Sequence, residues 1–273
     1  MSSRPAALSA SSTKTYLQCP LKFRYQVIDR MAEPPSEATV KGTVVHQVLE
    51  DLFQLPRDLR DLEHASQLLP AAWENTLDSN QEAEQLFFDE TLLEQARADT
   101  EQLLSNYFLL EHPRNLAPRA TEKFVDARLD SGILLRGIID RVDESPDGKL
   151  RVVDYKTGRA PSPRFANEAL FQMRFYALLL RQTWKFPSRL QLLYLRSVQS
   201  LTLDPDTRDI VTFQLDVEDI WRRIKADALD GNFGTKKSRL CDWCAFQSIC
   251  PAFGGTPPAM PEDGRERLLS VQQ

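Results

Sequence analysis

A chain of 273 residues can bury one substantial core, or one core with an appended lobe. Its 42% hydrophobic and 27% charged residues are those of a soluble globular protein, and its net charge of -5 excludes a surface that binds nucleic acid everywhere. No apolar run approaches the roughly 20 residues of a membrane span, and residues 1–15 lack the apolar core of a signal peptide. We therefore expect a cytoplasmic protein without a membrane partner, whose four cysteines stay reduced unless a metal binds them.

The N-terminal segment, residues 1–54, is predicted to be helical. Hydroxyl side chains from Ser9 onward can cap a short helix that must end near the Cys19-Pro20 step. In the next predicted helix, His46 lies beside an apolar stripe, where a lone histidine is more often a satisfied core residue than a ligand. That stripe consists of Val45, Val48, Leu49, Leu52 and Phe53.

Residues 55–116 are acidic and helical in pattern, and they carry no residues that suggest chemistry. We interpret them as a helical insertion that could narrow a groove or dock a partner protein. The sheet is expected to begin after them, with the alternating stretch from Glu122 to Leu129 as its first strand.

Two apolar runs further along each carry an aspartate near their end. The runs are 137–142, with Asp140, and 151–158, with Asp154. The sequence Ser-Pro-Asp-Gly at 145–148 has proline and glycine where a tight turn uses them, which predicts an antiparallel hairpin that brings the two aspartates together. Because side chains alternate along a strand, Lys156 should share the face of Asp154.

Two converging carboxylates are costly unless a cation lies between them, and Mg2+ and Mn2+ prefer oxygen ligands. The hairpin therefore predicts a divalent-metal site at Asp140 and Asp154, with Lys156 beside it. The alternative is a plain ion pair between Asp154 and Lys156 on a solvated strand face, and the pattern of these residues alone leaves both interpretations open.

After Gly158, a proline-containing loop leads into a predicted helix over 165–184, in which Gln172 and Tyr176 share one face. On spacing alone, that pair fits an ordinary amphipathic helix. Two further strands are predicted at 190–195 and 210–215, followed by a helix capped by Asp216.

The four cysteines form a ligand pattern, with one near the start of the chain and three closely spaced near its end. A set of four thiolates could hold zinc or an iron-sulfur cluster, and spacing does not separate the two. The alternative is four unrelated buried thiols. The residues concerned are Cys19, Cys241, Cys244 and Cys250.

These motifs, in this order, resemble the RecB-like branch of the PD-(D/E)XK nuclease superfamily, which includes stand-alone exonucleases and CRISPR-associated adaptation nucleases. The resemblance covers Ser9 to Pro251 apart from the helical insertion. It rests on the Cys-Pro step at Cys19, the Gly-x3-His motif ending at His46, Gly-x2-Asp at Asp140, Asp-Tyr-Lys-Thr-Gly from Asp154, Gln-x3-Tyr from Gln172, and the cysteine triple.

The resemblance implies an α/β fold with a restriction-endonuclease-like core, a central mixed sheet flanked by helices, and an iron-sulfur clasp joining the N- and C-terminal segments. It implies that His46, Asp140, Asp154 and the carbonyl of Tyr155 bind Mg2+ or Mn2+. Catalysis would then depend on Asp140, Asp154 and Lys156, with Gln172 and Tyr176 supporting the site and the DNA. The four cysteines would hold a [4Fe-4S] cluster.

The leading hypothesis is thus a metal-dependent DNA nuclease, an exonuclease acting on single strands or DNA ends in repair or recombination. One alternative is a nuclease that trims DNA for CRISPR adaptation proteins, and another is a non-cleaving DNA-end module of a helicase-nuclease complex. Any DNA must follow a local basic groove, for which the candidates are Lys14, Arg164, Lys236, Lys237 and Arg239.

The expected organisation has five parts. They are an N-terminal helical segment at 1–54, a helical insertion at 55–116, a nuclease core at 117–235, a cysteine segment at 236–253, and a disordered tail at 254–273.

Overall fold

The computed structural model describes residues 6–162 and 166–271, with residues 166–168 described by their backbone alone. The predicted helix start at Phe165 and the predicted groove residue Arg164 lie outside these residues. Among the described helices, none is long and apolar enough to cross a membrane.

The centre of the molecule is a mixed five-stranded sheet in the order β1-β2-β3-β4-β5. Strands β3 and β4 are parallel, and the other neighbouring pairs are antiparallel. The strands are β1 Pro118–Arg128, β2 Leu134–Glu144, β3 Leu150–Lys156, β4 Arg189–Tyr194 and β5 Gln199–Leu203. The α/β fold with a central mixed sheet flanked by helices is therefore confirmed.

The predicted hairpin is formed by β2 and β3. The amide of Gly148 donates to the carbonyl of Ser145 at 2.8 Å, which closes the turn. Gly148 has a φ of 76°, a left-handed conformation that glycine adopts at little steric cost. Turn chemistry thus fixes the pairing of the two strands on which the aspartates lie.

Helices cover both faces of the sheet, and two clusters of apolar side chains pack between the layers. One layer contains α7, Ala166–Thr183, and α8, Thr207–Asp230. In the other layer are α3 Glu37–Gln54, α4 Leu62–Asp78, α5 Gln81–Leu86 and α6 Glu90–Leu110. The segment interpreted as an insertion therefore shares a core with α3 and with the sheet residues Tyr155 and Leu193.

The N-terminal helix α1, Ala10–Gln18, is capped as its hydroxyl residues predict. The side chain of Ser9 accepts a hydrogen bond from the amide of Ser12 at 3.0 Å, and the Ser12 hydroxyl accepts one from the Ser9 amide at 2.9 Å. This reciprocal capping satisfies two amides at the helix start. Pro20 then begins α2, Pro20–Phe23, which continues into a π-helical turn, Arg24–Ile28.

Short 3₁₀ turns connect several of the longer elements. They span Arg57–Leu59, Pro113–Asn115, Leu195–Ser197, Arg239–Trp243, Gln247–Ile249 and Pro251–Phe253.

The predicted strand at 210–215 is wrong, because these residues lie in the first half of α8. Asp206, not Asp216, caps this helix by accepting from the amide of Arg208. The fifth strand is instead β5, which pairs with β4. The helix buries one stripe at helical spacing, namely Ile210, Phe213, Val217, Ile220, Trp221 and Ile224.

The C-terminal segment expected to be disordered contains helix α9, Glu262–Leu269. Leu268 and Val271 are buried in the same core as α7 and α8. Arg267 Nη2 donates to the carbonyl of Ile28 at 3.2 Å, and Arg24 Nη2 donates to the carbonyl of Pro258 at 2.5 Å. The polar composition of this segment misled the prediction, since a few apolar and arginine contacts fix it to the N-terminal segment.

Replacing Gly264 with alanine is expected to destabilise the protein by about 1–3 kcal/mol, the usual cost of overpacking. A Cβ at this position would lie 2.5 Å from the carbonyl oxygen of Ile28, a backbone atom that cannot rotate away. Gly234→Ala is the matched control, because a Cβ there has no atom within 4 Å. Urea denaturation measures both variants, and equal midpoints would contradict the docking of α9.

Candidate active site

The C-terminal end of β3 is the centre of the site. Arg141 of β2 pairs with Val153 of β3, so the next residues along the two strands are Asp140 and Asp154. The amide of Tyr155 donates to Asp140 Oδ2 at 2.6 Å, which fixes this carboxylate at the point where β2 leaves β3. The hairpin thus brings the two predicted carboxylates together.

His46 reaches the same point from α3. Its Nε2 lies 3.0 Å from the carbonyl oxygen of Tyr155, and its Nδ1 lies 3.5 Å from Asp140 Oδ2. The apolar stripe of α3 is buried against the sheet, and this packing directs His46 at the strand ends with its side chain 30% exposed. His46 therefore faces the aspartates, and this position favours a metal ligand over a satisfied core residue.

Glu122 of β1 completes a compact group that sequence reasoning missed. One ligand atom each from His46, Glu122 and Asp140 lie within 4.8 Å of one another. Glu122 lies opposite Asp140, between the paired residues Thr121↔Arg141 and Lys123↔Ile139. Its φ of 42° is uncommon for a residue with a side chain, and such strain is concentrated at functional sites.

A signal for Glu122 exists in the sequence. The turn at Ser131 and Gly132 separates β1 from β2, and in a hairpin the residues equally far from the turn face each other. Counting nine positions each way from Ser131 gives Glu122 and Asp140.

Asp154 is held by a second set of residues rather than by this compact group. Its Oδ2 forms an ion pair with Lys156 Nζ at 2.6 Å, and its Oδ1 accepts from Gln172 Nε2 at 2.8 Å and from Tyr176 OH at 3.2 Å. Gln172 Nε2 also lies 3.0 Å from Tyr176 OH, in keeping with their shared helix face. Asp154 is only 2% exposed, so its orientation is well defined.

The pKa values of the two central groups are raised. Burial lowers the pKa of His46, but the carboxylate of Glu122, 3.9 Å from Nδ1, and the charges of Asp140 and Asp154 outweigh it and raise the pKa to about 9. Burial, together with the nearby charge of Asp154, raises the pKa of Asp140. His46 and Asp140 therefore retain protons near neutral pH, and the site becomes more negative when these protons are removed.

The donor set fits a hard divalent cation, since it offers carboxylate and carbonyl oxygens and one imidazole nitrogen. His46, Glu122 and Asp140 are close enough to share one ion, and the Tyr155 carbonyl lies against His46. Asp154 adjoins them through the strand register. A cation here would compensate carboxylates that otherwise repel one another.

Metal affinity is expected to rise with pH. Because a raised pKa means that His46 and Asp140 hold protons near pH 7, Mn2+ must displace them, and affinity should increase up to about tenfold per pH unit for each proton displaced. The increase should level off above the His46 pKa of about 9. Isothermal titration calorimetry from pH 6 to 9 measures the slope.

His46→Gln should bind Mn2+ more weakly and with a shallower slope, whereas the exposed control His112→Gln should match the wild type. An affinity that does not change with pH would contradict the participation of His46.

All four cysteines line one cavity of about 200 Å³, which Lys236 and Lys237 also line. None of these four cysteines forms a disulfide. Cys19 comes from the end of α1 and the other three from the 3₁₀ turns near the C-terminal end, so the cavity joins the two ends of the chain. The four thiols therefore border one cavity, and a metal centre among them stays a prediction.

A model of the PD-(D/E)XK nuclease superfamily matches residues 7–251. The chain belongs to this superfamily. The match includes the whole sheet, the candidate site and the cysteine segment. Membership in the PD-(D/E)XK superfamily also accounts for the mixed sheet with acidic residues on two neighbouring strands.

Two further similarities are to a longer protein and to a solved structure. One of the subunits of the ATP-dependent helicase/deoxyribonuclease of several Streptococcus agalactiae strains is 27% identical over 163 residues, which are 56% of this chain and 14% of that protein. The chain thus spans a small part of the length of these relatives. A structure from Eubacterium rectale named "Putative exonuclease" aligns with 87% of this chain and 86% of its own, with a TM-score of 0.55 and 14% identity, which supports the fold.

Proposed function

We propose that this PD-(D/E)XK protein is a metal-dependent deoxyribonuclease that hydrolyses phosphodiester bonds with Mg2+ or Mn2+. The observation that carries the proposal is the meeting, beside strands β1, β2 and β3, of the group His46, Glu122 and Asp140 with the ion pair of Asp154 and Lys156. Oxygen donors for a cation beside a lysine are suited to a phosphate ester, whose reaction develops negative charge.

Each residue then has a definite task. His46, Asp140, Asp154 and the Tyr155 carbonyl, with Glu122, would hold the cation. A bound divalent ion would supply a lower pKa for water and positive charge for the phosphoryl oxygens. Lys156 places a positive charge beside the reacting phosphate and orients the attacking water. Gln172 and Tyr176 fix Asp154 so that its second oxygen faces Lys156.

The substrate is proposed to be DNA single strands or DNA ends, attacked by an exonuclease mechanism, in a repair or recombination setting within the cytoplasm. The name of the Streptococcus agalactiae relatives supports DNA as the substrate and a helicase as a partner. It does not support CRISPR adaptation proteins. The site also favours cleavage over a non-cleaving end-binding module, because simple binding needs neither the acidic group nor Lys156.

The direct test uses purified protein and end-labelled linear single- and double-stranded DNA, with Mg2+, Mn2+ or excess EDTA. Metal-dependent shortening of the linear single strand, with a circular single strand left intact, is the expected result. Cleavage that persists in EDTA would overturn the metal dependence. Circles cut as fast as linear strands would overturn the exonuclease assignment, and intact DNA under every condition would overturn the nuclease proposal.

We further propose that Cys19, Cys241, Cys244 and Cys250 hold a [4Fe-4S] cluster that acts as a structural clasp. The support is their common cavity and their origin at both ends of the chain. Tying Cys19 to Cys241 closes a loop of more than two hundred residues. By analogy with a disulfide, this closure stabilises the fold by about 5 kcal/mol at most.

Anaerobically purified protein is therefore expected to be brown and to contain iron and sulfide, and Cys19→Ser is expected to aggregate. Elemental analysis and visible absorption measure both properties. A colourless protein that contains zinc would show that the four cysteines hold zinc and not an iron-sulfur cluster. A stable, metal-free protein lacking all four thiols would show that the fold needs no metal clasp.

A further inference from the structure

A cleft of about 670 Å³ opens directly beside the candidate active site. Its walls come from α1, from the exposed parts of β1 and β2, and from the site itself. Lining residues include Lys14, Phe124, Arg136, Ile138, Lys156 and Tyr176. A volume of this size is in the range of sites that bind small organic groups.

Two large apolar side chains are exposed in this cleft. Phe124 of β1 and Ile138 of β2 are cross-strand partners, with 49% and 52% of their surface exposed. The next residue on each strand, Val125 and Ile139, is buried in the core. Packing in the core therefore does not explain why Phe124 and Ile138 are apolar. An apolar pair left in solvent beside charged groups is typical of a ligand contact.

Basic side chains line the cleft together with this pair. Lys14 and Arg136 line the same cleft, and the Nε atom of Arg136 is buried with no hydrogen-bond partner among the described residues. An unpartnered buried donor is costly, and a phosphate oxygen would satisfy it. Flat apolar surface bordered by cations is the combination that binds single-stranded nucleic acid, because bases stack while phosphates pair.

Lys156 connects the cleft to the reaction centre. It lines this cleft and also a second cleft of about 530 Å³, which contains His46 and Glu122. A strand whose scissile phosphate lies at Lys156 can therefore extend into the cleft that Phe124 and Ile138 line.

We propose that Phe124 and Ile138 form a base-stacking subsite for one unpaired DNA nucleotide adjacent to the scissile phosphate, with Lys14 and Arg136 at its backbone phosphates. This inference rests on the proposed nuclease function and adds a specificity element to it. Stacking on Phe124 needs a base whose face is free, and bases inside a duplex have both faces covered by their neighbours. The subsite thus makes the enzyme selective for single strands.

The test compares Phe124→Ala, Phe124→Tyr and the control Phe88→Ala, each combined with Asp154→Asn to prevent cleavage. Phe88 is an equally aromatic side chain with 88% exposure, and it lies between α5 and α6. Fluorescence anisotropy with labelled oligothymidine and with a blunt duplex, in Mn2+ at one fixed salt concentration, gives the two dissociation constants. Thermal melting verifies that each variant is folded.

Phe124→Ala is expected to weaken single-strand binding by about 5- to 150-fold and to leave duplex binding within about twofold. Phe124→Tyr should restore single-strand binding, and Phe88→Ala should change neither constant. Unchanged single-strand binding in Phe124→Ala, an equal loss for both DNA forms, or no restoration by tyrosine would each overturn the subsite.

Cleavage by the enzyme with an intact Asp154 separates this inference from the proposed function. If that enzyme degrades DNA while Phe124→Ala binds oligothymidine normally, only the stacking subsite fails. If it degrades no DNA, the nuclease proposal fails, whatever the binding data show. Within an active enzyme, Phe124→Ala should raise KM for single strands and leave kcat nearly unchanged, because a stacking contact acts mainly on binding.

Discussion

Asp154→Asn is expected to lower kcat for DNA hydrolysis by about 10³-fold or more, the range seen when a group that stabilises transition-state charge is removed. The amide has nearly the same shape as the carboxylate and can still meet Gln172 and Tyr176. It lacks the negative charge that pairs with Lys156 at 2.6 Å and that would complete the metal site. The chemistry should therefore fail while the fold persists.

The matched control is Asp216→Asn on the exposed surface of α8, which should retain full activity. Single-turnover cleavage of linear single-stranded DNA in Mn2+ measures both variants, and thermal melting shows that both are folded. Cleavage by Asp154→Asn within tenfold of the wild type, from a preparation free of contaminating nuclease, would remove Asp154 from the proposed metal site.

The hairpin shows which features the sequence could predict. The turn at 145–148 has proline and glycine at the positions that a tight turn needs, and the runs on each side are apolar. Local chemistry alone therefore sets the pairing of β2 with β3, and the pairing determines that Asp140 adjoins Asp154. The same is true of α1, whose cap Ser9 and following Pro20 directly flank its two ends.

Other features depend on contacts between distant residues. The start of α8 has β-branched residues that suit a strand. A helix forms there because Ile210, Phe213 and Val217, which are spaced to lie on one helix face, are buried in the core. Helix α9 has a polar composition, and its position depends on the contact of Arg267 with the π-helical turn near the opposite end of the chain. Local propensity contains no information about either contact.

Glu122 is an intermediate case. Its role depends on the pairing of β1 with β2 and on an unusual backbone conformation, φ 42°, that no sequence rule foresees for a glutamate. The motifs of the resembled family include His46 and Asp154, and they do not include Glu122. Glu122 emerges only when the register of the hairpin is known.

Beneath the candidate active site lies a buried ionic network centred on Arg141. Its guanidinium is fully buried and donates to Glu111 at 2.7 Å and to Asp143 at 3.0 Å. It also donates to the hydroxyl of Tyr155 at 2.5 Å, and it lies over the ring of Phe53. Because the carbonyl of Tyr155 contacts His46, this network supports the site from the opposite face of the sheet.

Arg141→Met is expected to destabilise the protein by about 3–5 kcal/mol, since removing one partner of a buried ion pair leaves uncompensated charge. Methionine fills much of the space and packs against Phe53, but Arg151 is then the only cation that Glu111 and Asp143 retain among the described residues. Arg222→Met is the control, because that arginine is 64% exposed and its surface ion pair contributes about 1 kcal/mol or less.

Urea denaturation at pH 7 gives both free energies of unfolding, and Mn2+ titration of the folded Arg141→Met protein tests the support of the site. Loss of the hydrogen bond to the Tyr155 hydroxyl should loosen Tyr155, whose carbonyl faces His46, and therefore weaken Mn2+ binding by about 10- to 100-fold, as removal of outer-shell partners does. A stable Arg141→Met protein with normal Mn2+ affinity would show that the network neither holds the fold nor positions the site.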